Sequence, residues 1–186
     1  MGENEIVAAL KRGDLSVVED IVGLYGNRLL RSAYLLCGNE SDAQDLVQDT
    51  LVQAVQSIHR FRGDSSLYSW LHGILLNLSR HYHRERKRLV QGHDFDSQPG
   101  ESVSDEASRL DLESVSPVLM EAMRKLSEPH REILVLRYFE EMKLDEIARH
   151  LNISKGTAKS RLHYAAESLR SLIPKELNLF GDSGTD

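Results

Sequence analysis

The sequence is poor in cysteine and in long apolar runs, and each shortage excludes a class of protein. The single cysteine, Cys37, excludes an internal disulfide and a cysteine-rich metal site. Because it follows the apolar residues Tyr34, Leu35 and Leu36, we expect its thiol to be buried and unreactive. No apolar run approaches the roughly 18 residues of a membrane-spanning helix, and no signal peptide opens the chain. A cytoplasmic location without membrane insertion is therefore predicted.

The negative charge of the chain is concentrated in one segment. Acidic residues outnumber basic residues by 29 to 23, and a formal net charge of −6 by itself argues against nucleic-acid binding. Residues 93–116 carry the excess, because seven acidic residues there accompany only Arg109. This stretch is serine-rich, contains Pro99-Gly100 and lacks periodicity, as is typical of a linker. It is either an inert tether or an acidic strand that lies in a basic channel of a partner.

Helical periodicity dominates on both sides of this linker. Hydrophobic and charged contents of 40% and 28% are ordinary for a globular protein. We predict an all-α protein of two small helical domains, the second opening at Ser116-Pro117 with a further helix from Ser127 through Tyr138. The predicted boundaries are residues 1–90 for the first domain, 91–115 for the linker, 116–175 for the second domain and 176–186 for a tail.

The strongest pattern, over residues 144–169, predicts two helices joined by a tight turn. Apolar residues recur at helical spacing in both halves, namely Leu144, Ile147, Ala148 and Leu151, then Ala158, Leu162, Ala165 and Leu169. Asn152 is predicted to end the first helix and Ser154 to cap the second. This arrangement is a helix-turn-helix, whose second helix enters the DNA major groove.

The outer face of that second helix is basic and hydroxyl-rich in its first half. It presents Lys155, Thr157, Lys159, Ser160, Arg161 and His163. Gly156 costs about 1 kcal/mol relative to alanine inside a helix, which suggests that a side chain there would clash with the neighbouring helix or with a phosphate. The alternative is an ordinary helical hairpin with a solvated cationic face.

A second helix of interest, over residues 42–58, has an acidic face. Ser41 is predicted to cap it, with Gln44 in the capping-box position. The core side consists of Ala43, Val47, Thr50, Leu51, Ala54 and Ile58, and the other side of Asp42, Asp45, Leu46, Asp49, Gln53 and Gln56. An apolar Leu46 with a polar rim is typical of a protein-docking surface. The alternative is a solvated acidic face.

The next segment combines a loop with a basic helix. Residues 61–66 (FRGDSS) break the helical period, and Ser65 or Ser66 is predicted to cap the following helix. A polar stripe then runs along it through Ser69, Gly73, Asn77, Arg80, Arg84 and Arg88, with Trp70 and His81 at its margin. Cations and a nearby aromatic suit nucleic acid, although a solvated helix end with a core tryptophan is the alternative. His81 and His83 do not share a helix face, so no metal site is predicted.

Three motifs in this order resemble those of bacterial RNA polymerase sigma factors of the extracytoplasmic-function (ECF) group, in the sigma-70 family. DAQDLVQD (42–49) is similar to the family's DAEDLVQE, FRGDSSLYSWL (61–71) to its −10 segment and GTAKSR (156–161) to its GTVKSR. The resemblance covers about residues 14–88 and 117–173. Gln44, Asp49 and Ala158 depart mildly from the family's motifs, and Gly73, Leu75 and Leu76 interrupt its usual YRIA run.

The resemblance implies a role for each motif. Docking on the β′ clamp helices of core RNA polymerase would fall to Asp42, Asp45, Leu46, Gln48 and Asp49. Contact with the −10 element, including a flipped base, would fall to Phe61, Arg62, Gly63, Asp64, Ser65, Ser66, Leu67, Trp70, Asn77, Arg80, His81, Arg84 and Arg88. Contact with the −35 element would fall to Ser154, Lys155, Gly156, Thr157, Lys159, Ser160, Arg161 and His163.

The resemblance also implies partners: the β′ and β subunits of core polymerase, promoter DNA and an anti-sigma factor. It implies no cofactor, no metal and no enzymatic activity of the chain itself. Three other interpretations stay open on the sequence. A sigma-like mimic that only sequesters an anti-sigma factor would not need the basic stripe formed by Arg80, Arg84 and Arg88. A helix-turn-helix repressor would leave the acidic face and the FRGDSS loop without a role. A metal-dependent hydrolase would need a converging set of histidines and carboxylates.

Overall fold

The computed structural model describes residues 2–92 and 115–173, which divide between two compact units, Met1–Val115 and Ser116–Asp186. All regular elements in these two ranges are helical, which confirms the all-α prediction. None of the described helices is long and apolar enough to cross a membrane. In the first unit the helices are α1 (Glu3–Lys11), α2 (Val18–Cys37), α3 (Glu40–Ser57) and α4 (Leu67–Gly92), with a 3₁₀ turn at Ile58–Arg60. In the second they are α5 (Pro117–Lys125), α6 (Glu128–Leu134), α7 (Leu144–Leu151) and α8 (Lys155–Leu172), with a π-helical turn at Val135–Phe139.

The junction of α2 and α3 is set by two adjacent residues. Gly38 ends α2 at φ 89°, a left-handed conformation that favours glycine, and its amide donates to the Tyr34 carbonyl at 2.9 Å. Asn39 then caps α3, because its side-chain oxygen accepts from the Asp42 amide at 2.8 Å. The prediction that Ser41 caps this helix is therefore wrong, since Ser41 already lies inside the first turn.

The core of the first unit draws on all four helices. Helix α1 contributes Ile6, Ala9 and Leu10 to the same apolar cluster that receives buried residues from α2, α3 and α4. Cys37 belongs to this cluster, as predicted, and its Sγ donates to the Asn39 carbonyl at 3.2 Å. Burial of these side chains is the main term that stabilises such a bundle.

Helix α5 starts as predicted, with Ser116 at the N-cap position and Pro117 as the first helical residue. The core of the second unit includes Met123, Ile133 and Leu136. The helix predicted to run from Ser127 through Tyr138 changes character at residue 135. There the hydrogen bonding widens to a π-helical turn, which α-helical periodicity in a sequence does not reveal.

The helix-turn-helix is formed as predicted. Asn152 ends α7 in the left-handed conformation at φ 53°, and the Ser154 hydroxyl accepts from the Thr157 amide at 3.0 Å. The inward side chains of the two helices are buried, including Ile147, Ala158 and Ala165.

The predicted start of the linker, at residue 91, does not coincide with the end of helix α4. Helix α4 continues to Gly92, so the first two residues of the predicted linker are helical. Residues 93–114, with the acidic cluster and Pro99-Gly100, and residues 174–186, which include the predicted tail, lie outside the described residues.

Candidate nucleic-acid interface and docking surface

The basic stripe lies on the outside of α4. Asn77, His81, Arg84 and Arg88 are exposed, and Arg80 is half-buried. The His81 ring lies 3.7 Å from the carboxylate of Glu85, one helical turn further along. At this spacing the side chains follow one side of the helix, so they can contact successive phosphates of a nucleic-acid backbone.

The FRGDSS loop is exposed from its second residue onward and lies between the buried Phe61 and the buried Leu67 that starts α4. Arg62, Gly63, Asp64, Ser65 and Ser66 are exposed, and Gly63 needs its lack of a side chain because φ is 81°. The Ser66 hydroxyl accepts from the Ser69 amide at 3.1 Å, so Ser66 rather than Ser65 caps α4. The loop thereby presents five polar or small residues directly before the basic helix.

Phe61 and Leu67, both assigned to DNA contact from the resemblance, are anchors of this loop rather than part of its surface. Phe61 is 7% exposed and Leu67 0%, and both belong to the core cluster. Their side chains therefore face the core of the free protein, and their direct contact with DNA stays a prediction. Trp70 remains half-buried beside the loop, with its ring centroid 5.4 Å from that of Phe61. It is the aromatic residue at the loop with surface available to a base.

The acidic face of α3 differs from its prediction at its centre. Asp45, Gln48 and Asp49 are exposed, but Leu46 is 5% exposed and packs in the core. The prediction of Leu46 as an exposed apolar centre is wrong, because about 100° of rotation per residue carries it from Asp45 toward the buried side. The exposed apolar residue on this face is Val52.

Val52 was missed by sequence reasoning, although its spacing could have revealed it. It is 50% exposed and follows Asp45 by seven residues and Asp49 by three. These intervals place it on the face of the two aspartates. The structure thus keeps a surface with an apolar centre and a polar rim, and shifts it around the helix.

Asp42 is the member of the acidic motif that faces inward. Its carboxylate accepts from the Tyr82 hydroxyl and from the Asn39 side-chain amide, and lies 3.4 Å from Nη1 of Arg86. Arg86 also donates to the Tyr82 hydroxyl. Burial, followed by the hydrogen bond to Asp42, raises the pKa of Tyr82 to about 12. This cluster joins α3 to α4.

The −35 candidates lie on the outside of α8. Arg161 is half-buried, and the others are exposed: Ser154, Lys155, Gly156, Thr157, Lys159, Ser160 and His163. Lys155 Nζ lies 2.9 Å from the Asp145 carboxylate of α7, and the His163 ring lies 3.6 Å from Glu167. Both contacts are solvent-exposed and are therefore weak enough to exchange for phosphate contacts.

Close packing against the neighbouring helix does not explain why position 156 is a glycine. A Cβ built there would meet the Ser154 hydroxyl at 3.8 Å, which is ordinary contact, with the neighbouring helix out of reach. The first of the two predicted reasons for this glycine is therefore wrong. Sequence reasoning also passed over Tyr164, which is 58% exposed, four residues after Ser160 and on the same side of α8.

Within residues 2–92 and 115–173, no three histidine, cysteine or carboxylate side chains converge in a way that would hold a metal ion. The chemistry that these surfaces offer is recognition. Cations and hydroxyls lie on α4 and α8, and carboxylates around an apolar residue lie on α3.

Comparison with known proteins agrees with the order of these surfaces. Residues 21–89 match the family model "Sigma-70 region 2" and residues 122–171 match "Sigma-70, region 4". The chain is 30% identical over 177 residues to the ECF RNA polymerase sigma factor SigW of Bacillus subtilis, an alignment that covers 90% of this chain and 94% of that protein.

Two solved structures are also similar to this chain over most of its length. The sigma factor RpoE of Bartonella quintana, in complex with the anti-sigma factor NepR, is 28% identical with a TM-score of 0.65 over 83% of this chain and 94% of that one. CnrH, in complex with the cytosolic domain of CnrY, is 26% identical with a TM-score of 0.64 over 91% and 96% of the two chains. The chain therefore belongs to the ECF group of the sigma-70 family, and it is a sigma factor that directs transcription initiation.

Proposed function

We propose that this sigma factor docks on core RNA polymerase through α3 and holds promoter DNA at two elements, through α4 with its preceding loop and through α8. The observation that supports it best is the separation of charge between surfaces. An acidic face on α3 and basic faces on α4 and α8 occur in one chain. A repressor would need only the helix-turn-helix, and a mimic would need no basic stripe.

The docking role falls to Asp45, Gln48 and Asp49 around the exposed Val52. Carboxylates of this kind pair with basic side chains of a partner, and Val52 supplies apolar area at the centre of the contact. Asp42 supports this surface from within, because its carboxylate is engaged with Tyr82 and Arg86. We assign the β′ clamp helices as the partner from the family resemblance.

At the −10 element, the exposed residues 62–66 receive a base that has left the non-template strand, with Trp70 beside it. Asn77, Arg80, His81, Arg84 and Arg88 bind the adjoining backbone. Extrusion of one base costs a few kcal/mol, which a handful of phosphate and stacking contacts can offset. Binding energy, rather than covalent chemistry by this chain, then drives the opening of the duplex.

At the −35 element, α8 lies in the major groove with its N-terminal half against the bases. Ser154, Lys155, Thr157 and Ser160 contact the backbone or base edges, and Arg161 is the best candidate for direct base readout. Lys155 would exchange Asp145 for a phosphate on binding. The exposed Gly156 leaves room for a phosphate to approach the helix closely.

The proposed domains are residues 1–90 for region 2, 91–115 for the linker, 116–175 for region 4 and 176–186 for the tail. We further propose regulation by an anti-sigma factor, because the similar sigma factor RpoE was solved in complex with the anti-sigma factor NepR. The site of action is the cytoplasm, where polymerase and DNA are found.

The decisive experiment is transcription with purified core polymerase and a library of genomic DNA fragments from the same organism, read out by sequencing of RNA 5′ ends. We expect starts that require this protein and share two upstream elements. A chain with Asp45→Arg and Asp49→Arg serves as the negative control. If the free wild-type protein yields no dependent starts, the proposed function is refuted.

A further inference from the structure

Helix α1 touches both ends of the FRGDSS loop. The Glu3 carboxylate accepts from the Leu67 amide at 2.8 Å, where the loop ends. Lys11 Nζ donates to the Phe61 carbonyl at 2.9 Å, where the loop begins. The two contacts join residues 64 and 50 positions apart in the chain. Helix α1 also lies before residues 21–89, the part of the chain that matches the region 2 model.

The Glu3 carboxylate accepts a hydrogen bond from a backbone amide that has no acceptor inside helix α4. Leu67 is the first residue of α4, and its amide has no acceptor within the helix. A carboxylate at a helix N-terminus is also favoured by the helix dipole. The second oxygen of Glu3 accepts from the Tyr25 hydroxyl at 3.2 Å, and burial together with the charge of Glu3 raises the pKa of Tyr25. Tyr25 therefore holds the carboxylate in place.

Apolar packing fixes the rest of α1 against the same loop ends. Ile6, Ala9 and Leu10 lie in the core cluster with Phe61 and Leu67. The polar contacts of Glu3 and Lys11 flank this apolar face. Between the two anchors, residues 62–66 are exposed, so their position depends on where the anchors are held.

We propose that α1 is a positioning element for base capture, with Glu3 and Lys11 as positioning residues that hold the FRGDSS loop in its receiving conformation. The inference rests on the proposed role of this loop at the −10 element. A loop that is already ordered spends less binding energy on its own immobilisation when a base enters. Loss of the two contacts should therefore weaken base capture without weakening polymerase docking or −35 binding.

The test uses the full chain with Glu3→Ala and Lys11→Met, singly and together. Glu3→Gln and Lys11→Arg keep an acceptor and a donor and should restore function. Glu5→Ala with Arg12→Met is the matched control, because it removes the same two charges from α1 and from the residue that caps its C-terminus. Glu5 accepts from the Gly2 amide inside this segment, and Arg12 is exposed.

The main readout is binding to single-stranded oligonucleotides that carry the non-template −10 sequence of a promoter recovered in the transcription experiment. Each position is replaced in turn by an abasic site. We expect wild type and control to lose affinity at one position, and the double variant to lose about tenfold affinity for the intact strand and to be insensitive to the abasic site. Transcription should fall similarly on duplex promoter and recover to within about twofold on a pre-melted promoter.

The outcomes separate the two proposals. If wild type is sensitive to an abasic site and the double variant is equally sensitive, the positioning role of α1 is refuted. If wild type is insensitive at every position, the capture role of the loop fails, and with it the positioning role. Should the double variant not fold by circular dichroism, Lys11→Met alone decides, because the Lys11 side chain is exposed and its contact is to a backbone carbonyl.

Discussion

The two units of this sigma factor build their proposed binding surfaces in different ways. In the helix-turn-helix, the contacts that shape the surface are local. Ser154 caps α8 by accepting a hydrogen bond from the amide of Thr157, three positions on, and Lys155 pairs with Asp145, ten positions back. In the first unit, Glu3 reaches Leu67 across 64 positions and Tyr82 reaches Asp42 across 40. A locally built surface can be predicted from its own sequence segment, whereas the other depends on the packing of the whole bundle.

The largest expected effect concerns the docking face of the first unit. Asp45→Arg with Asp49→Arg should weaken core polymerase binding by at least about 100-fold, because like charges are then placed opposite the partner. The same double reversal at Glu19 and Asp20, exposed acidic residues of α2, is the control. Fluorescence anisotropy with labelled protein measures both. Wild-type affinity in the α3 variant would remove the docking role.

The next effect concerns the locally built surface. Arg161→Ala should weaken binding to the −35 duplex by about 1–3 kcal/mol if its guanidinium reads a base. Arg170→Ala, in the last turn of the same helix, is the matched control. Gel-shift titration at fixed salt compares the two. Equal affinities would show that Arg161 contacts no base.

Substitution of Asp42 distinguishes a supporting role within the docking face from a direct contact with core polymerase. Asp42→Ala should lower the free energy of unfolding of the first unit by about 1–3 kcal/mol, because Tyr82 and Arg86 lose a shared acceptor. Core binding at a temperature where the variant is folded should change by less than about threefold. Urea titration and anisotropy measure the two quantities. A large loss of core affinity in a fully folded variant would return Asp42 to the docking contact.

The raised pKa of Tyr82 predicts a pH dependence at the same cluster. Folding holds the phenol neutral, so its contribution is fully present below pH 10 and is lost as pH rises from 10 through about 12. Wild type should therefore lose thermal stability relative to Tyr82→Phe between pH 9.5 and 11.5. Differential scanning of both proteins across this range tests it, and parallel curves would contradict the raised pKa.

The smallest effect is at Gly156, where stability and binding should move in opposite directions. Alanine meets no backbone there, so Gly156→Ala should raise the free energy of unfolding by about 0.4–1 kcal/mol. The added methyl group should weaken −35 binding if a phosphate approaches this turn closely. Thermal unfolding and gel shift together distinguish these effects. Unchanged DNA affinity would leave the glycine without a role in binding.

A structural feature could be predicted from the sequence when the residues that form it are close together in the chain. Asn152 and Ser154 were predicted in their capping roles because a cap involves only residues within one helical turn. The start of α3 was misplaced by two residues, since both Asn39 and Ser41 are good caps and the chain reversal at Gly38 favours the first. The π-helical turn at Val135–Phe139 left no periodic trace.

The sequence by itself determined the all-α class, the helix-turn-helix and the exposed basic stripe of α4, because helical periodicity, capping residues and charge act over a few neighbouring positions. Only the tertiary structure decided that Leu46 is buried while Val52 is exposed, that Asp42 faces inward, and that α1 holds the FRGDSS loop. The physical reason is that burial and long-range hydrogen bonds depend on which helices pack together, and helices distant in the chain meet only in the folded bundle.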